Sequence, residues 1–322
     1  QVCGHTVRSS IEPDLMPPAK SPALRPSHLP PVELYRPADL GELLAHAADG
    51  VHPLAGGTDL VVWATQCGEP RRLAWIGSID QLQTLDITSD RAHIGAAVTL
   101  SRIVRSGQFR SLAPAVVDGA AVVGSVQLRN QATLVGNVCT ASPGGDTIPA
   151  LHVHDAALDI VSAAGDRRSV KISDFVHGPG QTGLNTGEVV TGVTLRGLGQ
   201  REGSAFSRFT QRNALDLAIA SVAACLSFES DGRTVARAHL SMGAVGPTVL
   251  DADEAVRSLV GHPLEPARLR NCADLTAECC RPITDHRASA DYRRQLVRTL
   301  TMDVVDAAAA RAIPGWLAVE AP

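Results

Sequence analysis

Two short glycine-bearing stretches concentrate the groups that could hold an anion. The first is Leu54-Ala55-Gly56-Gly57-Thr58-Asp59, placed after a strand-like piece. Adjacent glycines permit positive φ and carry no Cβ. Successive main-chain N–H groups can then turn inward and make a concave anion site without lysine or arginine, and Thr58 adds a hydroxyl donor. Such a pair is more often a plain turn, so this stretch alone decides nothing. The second is Thr133-Leu134-Val135-Gly136-Asn137, continuing through Thr140-Ala141-Ser142-Pro143-Gly144-Gly145-Asp146. Ser142 before Pro143 reads as a helix cap followed by proline at the first helical position. A helix start offers free N–H groups and roughly half a positive charge to a phosphate. Asp146 then lies one turn in, where its carboxylate could accept hydrogen bonds from sugar-like hydroxyls or simply complement the helix dipole. Local chemistry leaves both readings open.

Neither stretch is a G-x-G-x-x-G dinucleotide fingerprint, and no G-x-x-x-x-G-K-S/T is present, which disfavours a nucleotide triphosphatase. Two neutral, amide-rich loops about 75 residues apart suit a diphosphate clasped from both sides. At about 1.5–3 kcal/mol per hydrogen bond to a charged group, about four or five such bonds hold it without a cationic side chain.

Other chemistry is weakly supported. His152 and His154, two apart on a helix or turn, face different ways and do not read as a joint metal site. Asp285-His286 could be an acid–base pair but reads better as packing. No G-x-S-x-G nucleophile elbow is present. The seven cysteines (Cys3, Cys67, Cys139, Cys225, Cys272, Cys279 and Cys280) are scattered, with no C-x-x-C, and fit neither a disulfide framework nor a metal site. They read as small buried hydrophobes in a reducing compartment.

The chain that must position these loops has 322 residues, 44% hydrophobic and 19% charged, which supplies a large core and excludes wholesale disorder. A net charge of −4 argues against a nucleic-acid or anionic-membrane surface. No apolar run approaches the roughly 18–20 residues of a membrane span, and the leader lacks a signal peptide's apolar core, so the expected location is the cytoplasm. Residues 1–31 hold seven prolines and read as an extended arm that orders only against a partner. Gln1 as the first residue fits a truncated or processed arm. Asp39 with Glu42 caps a short helix carrying Leu40, Leu43, Leu44 and Ala47, and Gly50 stops it. Strand-like pieces follow at 52–55, 73–77, 84–88, 92–96, 158–163 and 188–195, with helices at 99–105 and 112–123. After Gly203, runs at 219–229 and 234–244 flank Asp231-Gly232, the favoured two-residue hairpin turn. Helical patterns occupy 252–260, 266–280 and 289–312. These periodicities predict an α+β domain over 32–200 and a smaller domain of hairpin plus helices over 201–322.

Five ordered motifs carry a family resemblance: Ala55-Gly56-Gly57-Thr58-Asp59, residues 129–137, residues 140–146, Arg208 to Ala220, and residues 285–294. Over about Val32 to Ala310 the chain resembles the FAD-binding medium subunit of the molybdenum hydroxylases, the group of the carbon monoxide dehydrogenase and xanthine dehydrogenase flavoproteins. The resemblance implies an FAD-binding fold of the vanillyl-alcohol-oxidase type, with two α+β lobes gripping the cofactor, plus a C-terminal α+β domain with an antiparallel sheet. It implies that Leu54, Ala55, Gly56, Gly57, Thr58 and Asp59, with Thr133, Leu134, Val135, Gly136, Asn137 and Thr140, bind the FAD diphosphate and adjacent sugar. Ser142 and Asp146 would approach the ribityl chain and flavin, and the Val190 backbone would lie near the ring. The implied function is electron transfer, with no catalytic side chain. A small [2Fe–2S] subunit delivers electrons drawn from a large molybdopterin-binding subunit, and the assembly is a heterohexamer, a dimer of heterotrimers.

Two departures stand out. The second loop of the family has Gly-Gly before asparagine, whereas this chain has Val135-Gly136. Positive φ at valine would cost roughly 1–3 kcal/mol, so negative φ is expected at Val135, leaving Gly136 alone free for a left-handed geometry. Arg208, eight residues before Asp216, stands where many relatives carry lysine. It could stabilise a reduced anionic flavin, or be a surface or ion-paired arginine. Only Cys67 lies between the glycine loops, which excludes an extra iron–sulfur cluster there. Tyr292-Arg293-Arg294 and the arm are the expected contact surfaces. One rival reading is a self-contained flavin oxidoreductase of the same fold; the other is a scaffold that has lost FAD through the Val135 change.

Overall fold

A computed structural model describes residues 32–67, 71–212 and 214–316. The proline-rich arm lies outside the described residues.

The first lobe is a three-stranded parallel sheet in the order Glu33–Tyr35, Arg72–Trp75, His52–Leu54. Parallel neighbours need a crossover, and the helices Leu40–Ala48 and Leu60–Cys67 supply it. Asp39 accepts from the Glu42 N–H at 2.9 Å, while Glu42 reaches back to the Ala38 N–H at 2.7 Å. Leu43, Leu44 and Ala47 are buried, and Gly50 takes a φ of 76°. The helix Leu60–Cys67 is not evident from the sequence pattern, because Val61, Val62 and Trp63 leave its apolar groups exposed rather than on one buried stripe.

The second lobe is a five-stranded antiparallel sheet in the order Leu85–Ile87, Arg91–Gly95, Glu188–Arg196, Ala157–Ser162, Arg167–Lys171. Short helices pack on it. Thr99 caps Leu100–Arg105 through the Arg102 N–H, and Pro114 opens Pro114–Val122. An isolated bridge joins Thr99 to Thr133, which ties the second glycine stretch to the start of that helix.

The C-terminal part is a four-stranded antiparallel sheet, Glu202–Phe209, Ala220–Phe228, Val235–Gly243 and Leu250–Asp251, carrying the helices Asp253–Leu259, Pro266–Glu278 and Ala290–Ala312. Every residue of Ala220–Phe228 is buried. The period of two explains this: Ala223 and Cys225 join the core of the first two lobes, while Ala220, Val222, Ala224, Leu226 and Phe228 join the C-terminal core. Small residues let both layers come close. A Cβ on Gly203 would sit 2.1 Å from the Ala308 carbonyl oxygen of the long helix.

Two local expectations change. The Asp231-Gly232 connection is a longer loop, because the Glu229 N–H bonds the Thr234 carbonyl and the Asp231 carboxylate then caps the Arg233 and Thr234 amides. The strand Glu202–Phe209 also forms, although its sequence carries too many small and polar residues to mark it. Among the described residues no helix is long and apolar enough to cross a membrane.

Candidate functional site

The two glycine stretches meet. A Cβ on Gly56 would lie 2.0 Å from the Gln131 carbonyl oxygen and 2.9 Å from the Ala132 nitrogen, so the first bend rests on the backbone that leads into the second. Only glycine fits such an approach. Gly57 takes a φ of 69°, which turns the chain out of His52–Leu54 and into Leu60–Cys67. The main-chain N–H groups of Gly56, Gly57, Thr58 and Asp59 find no acceptor among the described residues. Half-buried amides without partners, here those of Gly56, Gly57 and Thr58, are uncommon, and together with the exposed Asp59 amide they make a ready anion cradle on one bend.

The second stretch is organised differently from expectation. Leu134–Cys139 is a short helix rather than a loop, with Thr133 as its cap: the Thr133 Oγ accepts from the Gly136 N–H at 3.0 Å. Val135 is buried inside this helix and has no positive φ, as expected. Gly136 is helical too, so its left-handed geometry does not occur. Its smallness serves instead, since a Cβ there would stand 2.9 Å from the Thr133 Oγ that caps it. The Val135 N–H, in the first helical turn, has no acceptor among the described residues. Asn137 reaches forward and accepts from the Thr147 hydroxyl at 2.7 Å, and Thr140 donates to the Gly136 carbonyl at 2.9 Å.

Ser142 does not cap a helix. Its carbonyl accepts from Gly145 N–H in a turn, and the helix begins only at Thr147, with Asp146 at the cap position and no capping bond from its side chain. Two glycines after Pro143 favour the turn over continued helix. The turn is docked on the C-terminal sheet, where the Ala244 N–H donates to the Pro143 carbonyl at 2.8 Å.

The Asp146 carboxylate is 5% exposed and receives the Arg208 guanidinium on Oδ2, an ion pair between the turn after Pro143 and the strand Glu202–Phe209. The Arg208 side chain is itself 7% exposed, so the surface alternative is out and the ion-paired one holds. The same guanidinium donates to the Asp216 carbonyl at 3.3 Å. Asp146 Oδ1 is buried with no hydrogen-bond partner among the described residues. Burial outweighs the arginine's attraction and pushes the Asp146 carboxyl up to about 6. The Asp216 carboxylate folds its own segment by accepting from the Arg212 and Leu217 amides. Leu217 then packs toward Gly144. Neither contact has a sequence signal. The Asp146–Arg208 pairing had one: a carboxylate and a cation in two separate motifs.

Val190 is buried on the strand Glu188–Arg196, beside a bulge between Val190 and Gly192, and the helix Leu134–Cys139 packs on that strand. The Thr191 carbonyl freed by the bulge accepts from Ala96 N–H at 2.9 Å.

The remaining candidates are structural. His154 is fully buried between the Arg196 carbonyl and the Ser204 hydroxyl, each at 2.8 Å, and burial pulls its pKa down to about 4. His152 contacts Asp251 at 3.3 Å. Among the described residues no group of His, Cys, Asp or Glu is placed to hold a metal ion. Asp285 accepts from Arg293 at 2.8 Å. Arg293 is buried and also donates to the Ile219 and Ala244 carbonyls, so it is a core clamp and not part of a contact surface. Tyr292 is exposed.

Comparison with known proteins agrees with this arrangement. Residues 30–195 match the family described as FAD binding domain in molybdopterin dehydrogenase, and residues 205–308 match the CO dehydrogenase flavoprotein C-terminal domain. The glyceraldehyde dehydrogenase medium chain of Sulfolobus acidocaldarius is 29% identical over 255 residues, covering 79% of this chain and 89% of that protein. The carbon monoxide dehydrogenase medium chain of Hydrogenophaga pseudoflava is 26% identical, covering 88% and 98%. In the crystal structure of quinoline 2-oxidoreductase from Pseudomonas putida 86, one chain superposes with a TM-score of 0.82 at 28% identity, covering 89% of this chain and 99% of that one. The chain therefore belongs to the family of FAD-binding domains of molybdopterin dehydrogenases, and it is a flavoprotein subunit of the molybdenum hydroxylase type, an oxidoreductase component whose cofactor is FAD.

Proposed function

We propose that this chain is the electron-transfer subunit of a cytoplasmic molybdenum hydroxylase, taking electrons from the [2Fe–2S] clusters of a small partner subunit and passing them to an external acceptor. The large partner carries molybdopterin and oxidises substrate, and the assembly is a dimer of heterotrimers. The observation that carries the reading is the contact between Gly56 and Gln131–Ala132, which brings the unclaimed amides of the first bend beside the segment that leads to the Val135 N–H, also unclaimed among the described residues.

The residues fit FAD. The bend Ala55–Asp59, through its free amides, and the start of the Leu134–Cys139 helix, through the Val135 N–H, would hold the diphosphate, with Leu54, Thr133, Leu134, Gly136, Asn137 and Thr140 shaping the walls. Asp146 Oδ1 is a buried acceptor in want of a donor, which suits a ribityl hydroxyl or a flavin N–H. Arg208 holds that carboxylate in one orientation and shields its charge. Ser142 and the Val190 backbone would flank the same cofactor. When bound, FAD supplies the reversible uptake and release of one or two electrons. The chain contributes binding and electrostatics, with no side chain making or breaking bonds.

The test is reduction of the bound flavin. In the purified complex, substrate is expected to bleach the absorbance near 450 nm (roughly, a property of flavins), while the chain separated from its partners should hold FAD yet show no reduction by the same substrate. Reduction by the isolated chain would favour the self-contained oxidoreductase instead.

A further inference from the structure

A cleft of about 420 Å³ opens on the second lobe, lined by Thr99, Ser101, Arg102, Arg105, Ser106 and Asn130. Leu85 is its one apolar wall, and no carboxylate lines it. The hydrogen bonds already made around it have a common sense. Thr99 Oγ accepts from the Arg102 N–H, Ser106 Oγ from the Phe109 N–H at 3.1 Å, and Asn130 Oδ1 from the Ser101 hydroxyl at 2.7 Å. Each bond occupies an oxygen lone pair and leaves the matching donor uncommitted. The Thr99 and Ser106 hydroxyl protons and the Asn130 amide protons find no acceptor among the described residues. Arg102 gives one N–H to the Gln83 carbonyl. Arg105 has no ion-pair or hydrogen-bond partner among the described residues, and the two arginines stand three apart on the helix Leu100–Arg105, where like charges repel. The cleft therefore presents donors and positive charge from Thr99, Arg102, Arg105, Ser106 and Asn130, while Ser101, its proton given to Asn130, offers only lone pairs.

We infer that this cleft is a phosphoryl-binding site separate from the cofactor bends, built for a small phosphate monoester. Two guanidinium groups with flanking hydroxyl and amide donors match the several oxygens and double charge of that group. The volume exceeds what one phosphoryl group fills, and Leu85 offers the remaining space to a small organic moiety. The site uses side chains of residues 99–106 and Asn130, whereas the proposed cofactor site uses main-chain groups of 56–59 and Val135 and the Asp146 carboxylate.

The test titrates the FAD-loaded protein with inorganic phosphate and with glycerol 3-phosphate by calorimetry at constant ionic strength. Saturable one-site binding is expected for both, tighter for the ester. Arg105→Ala should weaken it at least tenfold and Arg105→Glu should abolish it. Arg105 is exposed and has no ion-pair or hydrogen-bond partner among the described residues, so both variants should keep the wild-type melting midpoint and FAD content. Lack of saturable binding by the wild type, or binding by Arg105→Glu equal to wild type, would overturn the inference. So would release of FAD into the filtrate by either phosphate compound, since that would place the binding in the cofactor's diphosphate cradle.

Discussion

The Arg208 guanidinium and the Asp146 carboxylate form a buried ion pair that joins the C-terminal sheet to the turn beside the glycine bends. One oxygen of the carboxylate is committed to the arginine and the other has no partner among the described residues. Removing one member of such a pair strands the other charge, typically costing about 3–5 kcal/mol, whereas replacing both is far milder. Arg208→Met should therefore destabilise strongly, and Asp146→Asn combined with Arg208→Met should recover much of the loss. Denaturant unfolding of the single and double variants measures this, and equal losses in both would contradict it.

The same carboxyl sets one limb of the pH dependence. Its pKa in the folded chain, about 6, lies above the ordinary 3.8. A raised carboxyl pKa gives stability that is full below 3.8 and lost as pH rises through 6. His154 does the opposite. Its folded value of about 4 lies below 6.5, so its stability is full above 6.5 and lost as pH falls through 4. Each is worth on the order of 2–3 kcal/mol. In FAD-free protein, Asp146→Asn should flatten the loss of stability between pH 4 and 6 that accompanies rising pH, and His154→Gln should flatten the loss on the acid side. Melting midpoints across that range check both signs.

Gly56→Ala forces a methyl into the Gln131 carbonyl. Backbone must shift, at roughly 1–3 kcal/mol, and the shift parts the two bends. The variant is expected to fold with a lowered midpoint and to lose most of its FAD, read as the ratio of flavin to protein absorbance. Retention of full FAD content would count against the contact as a cofactor device.

Val135→Gly restores the glycine pair of the family. Because Val135 is a buried helical residue, the change removes packing and loosens the helix, at roughly 2–3 kcal/mol. FAD content should not rise. A gain in FAD affinity without loss of stability would show that the valine obstructs the cofactor.

Much of this was legible in the sequence. Asp39 with Glu42, Thr99, and the stripe through Leu43, Leu44 and Ala47 each carry a local cause for a helix, and the structure places those elements as expected. The glycine stretches and Asp146 were equally visible as donors and an acceptor. That the two stretches would clasp one diphosphate was expected, but the contact of Gly56 with Gln131 was not, because it depends on a parallel sheet and a separate lobe folding together. Ser142-Pro143 misled for a simple reason: the cap and proline signals are local, but Gly144-Gly145 and the docking on Ala244 decide where the helix starts. The strand Ala220–Phe228 was found by its small and β-branched residues, while its division between two cores became apparent only from the packing.

The central claim is that main-chain nitrogens of the Ala55–Asp59 bend and of the Leu134–Cys139 helix start hold the cofactor diphosphate. A crystal structure of the FAD-loaded protein tests it most directly. Phosphate oxygens within hydrogen-bonding distance of the Gly56–Asp59 amides and of the Thr133–Asn137 segment are the expected result. A diphosphate seated on arginine side chains, or lying away from both bends, would contradict it.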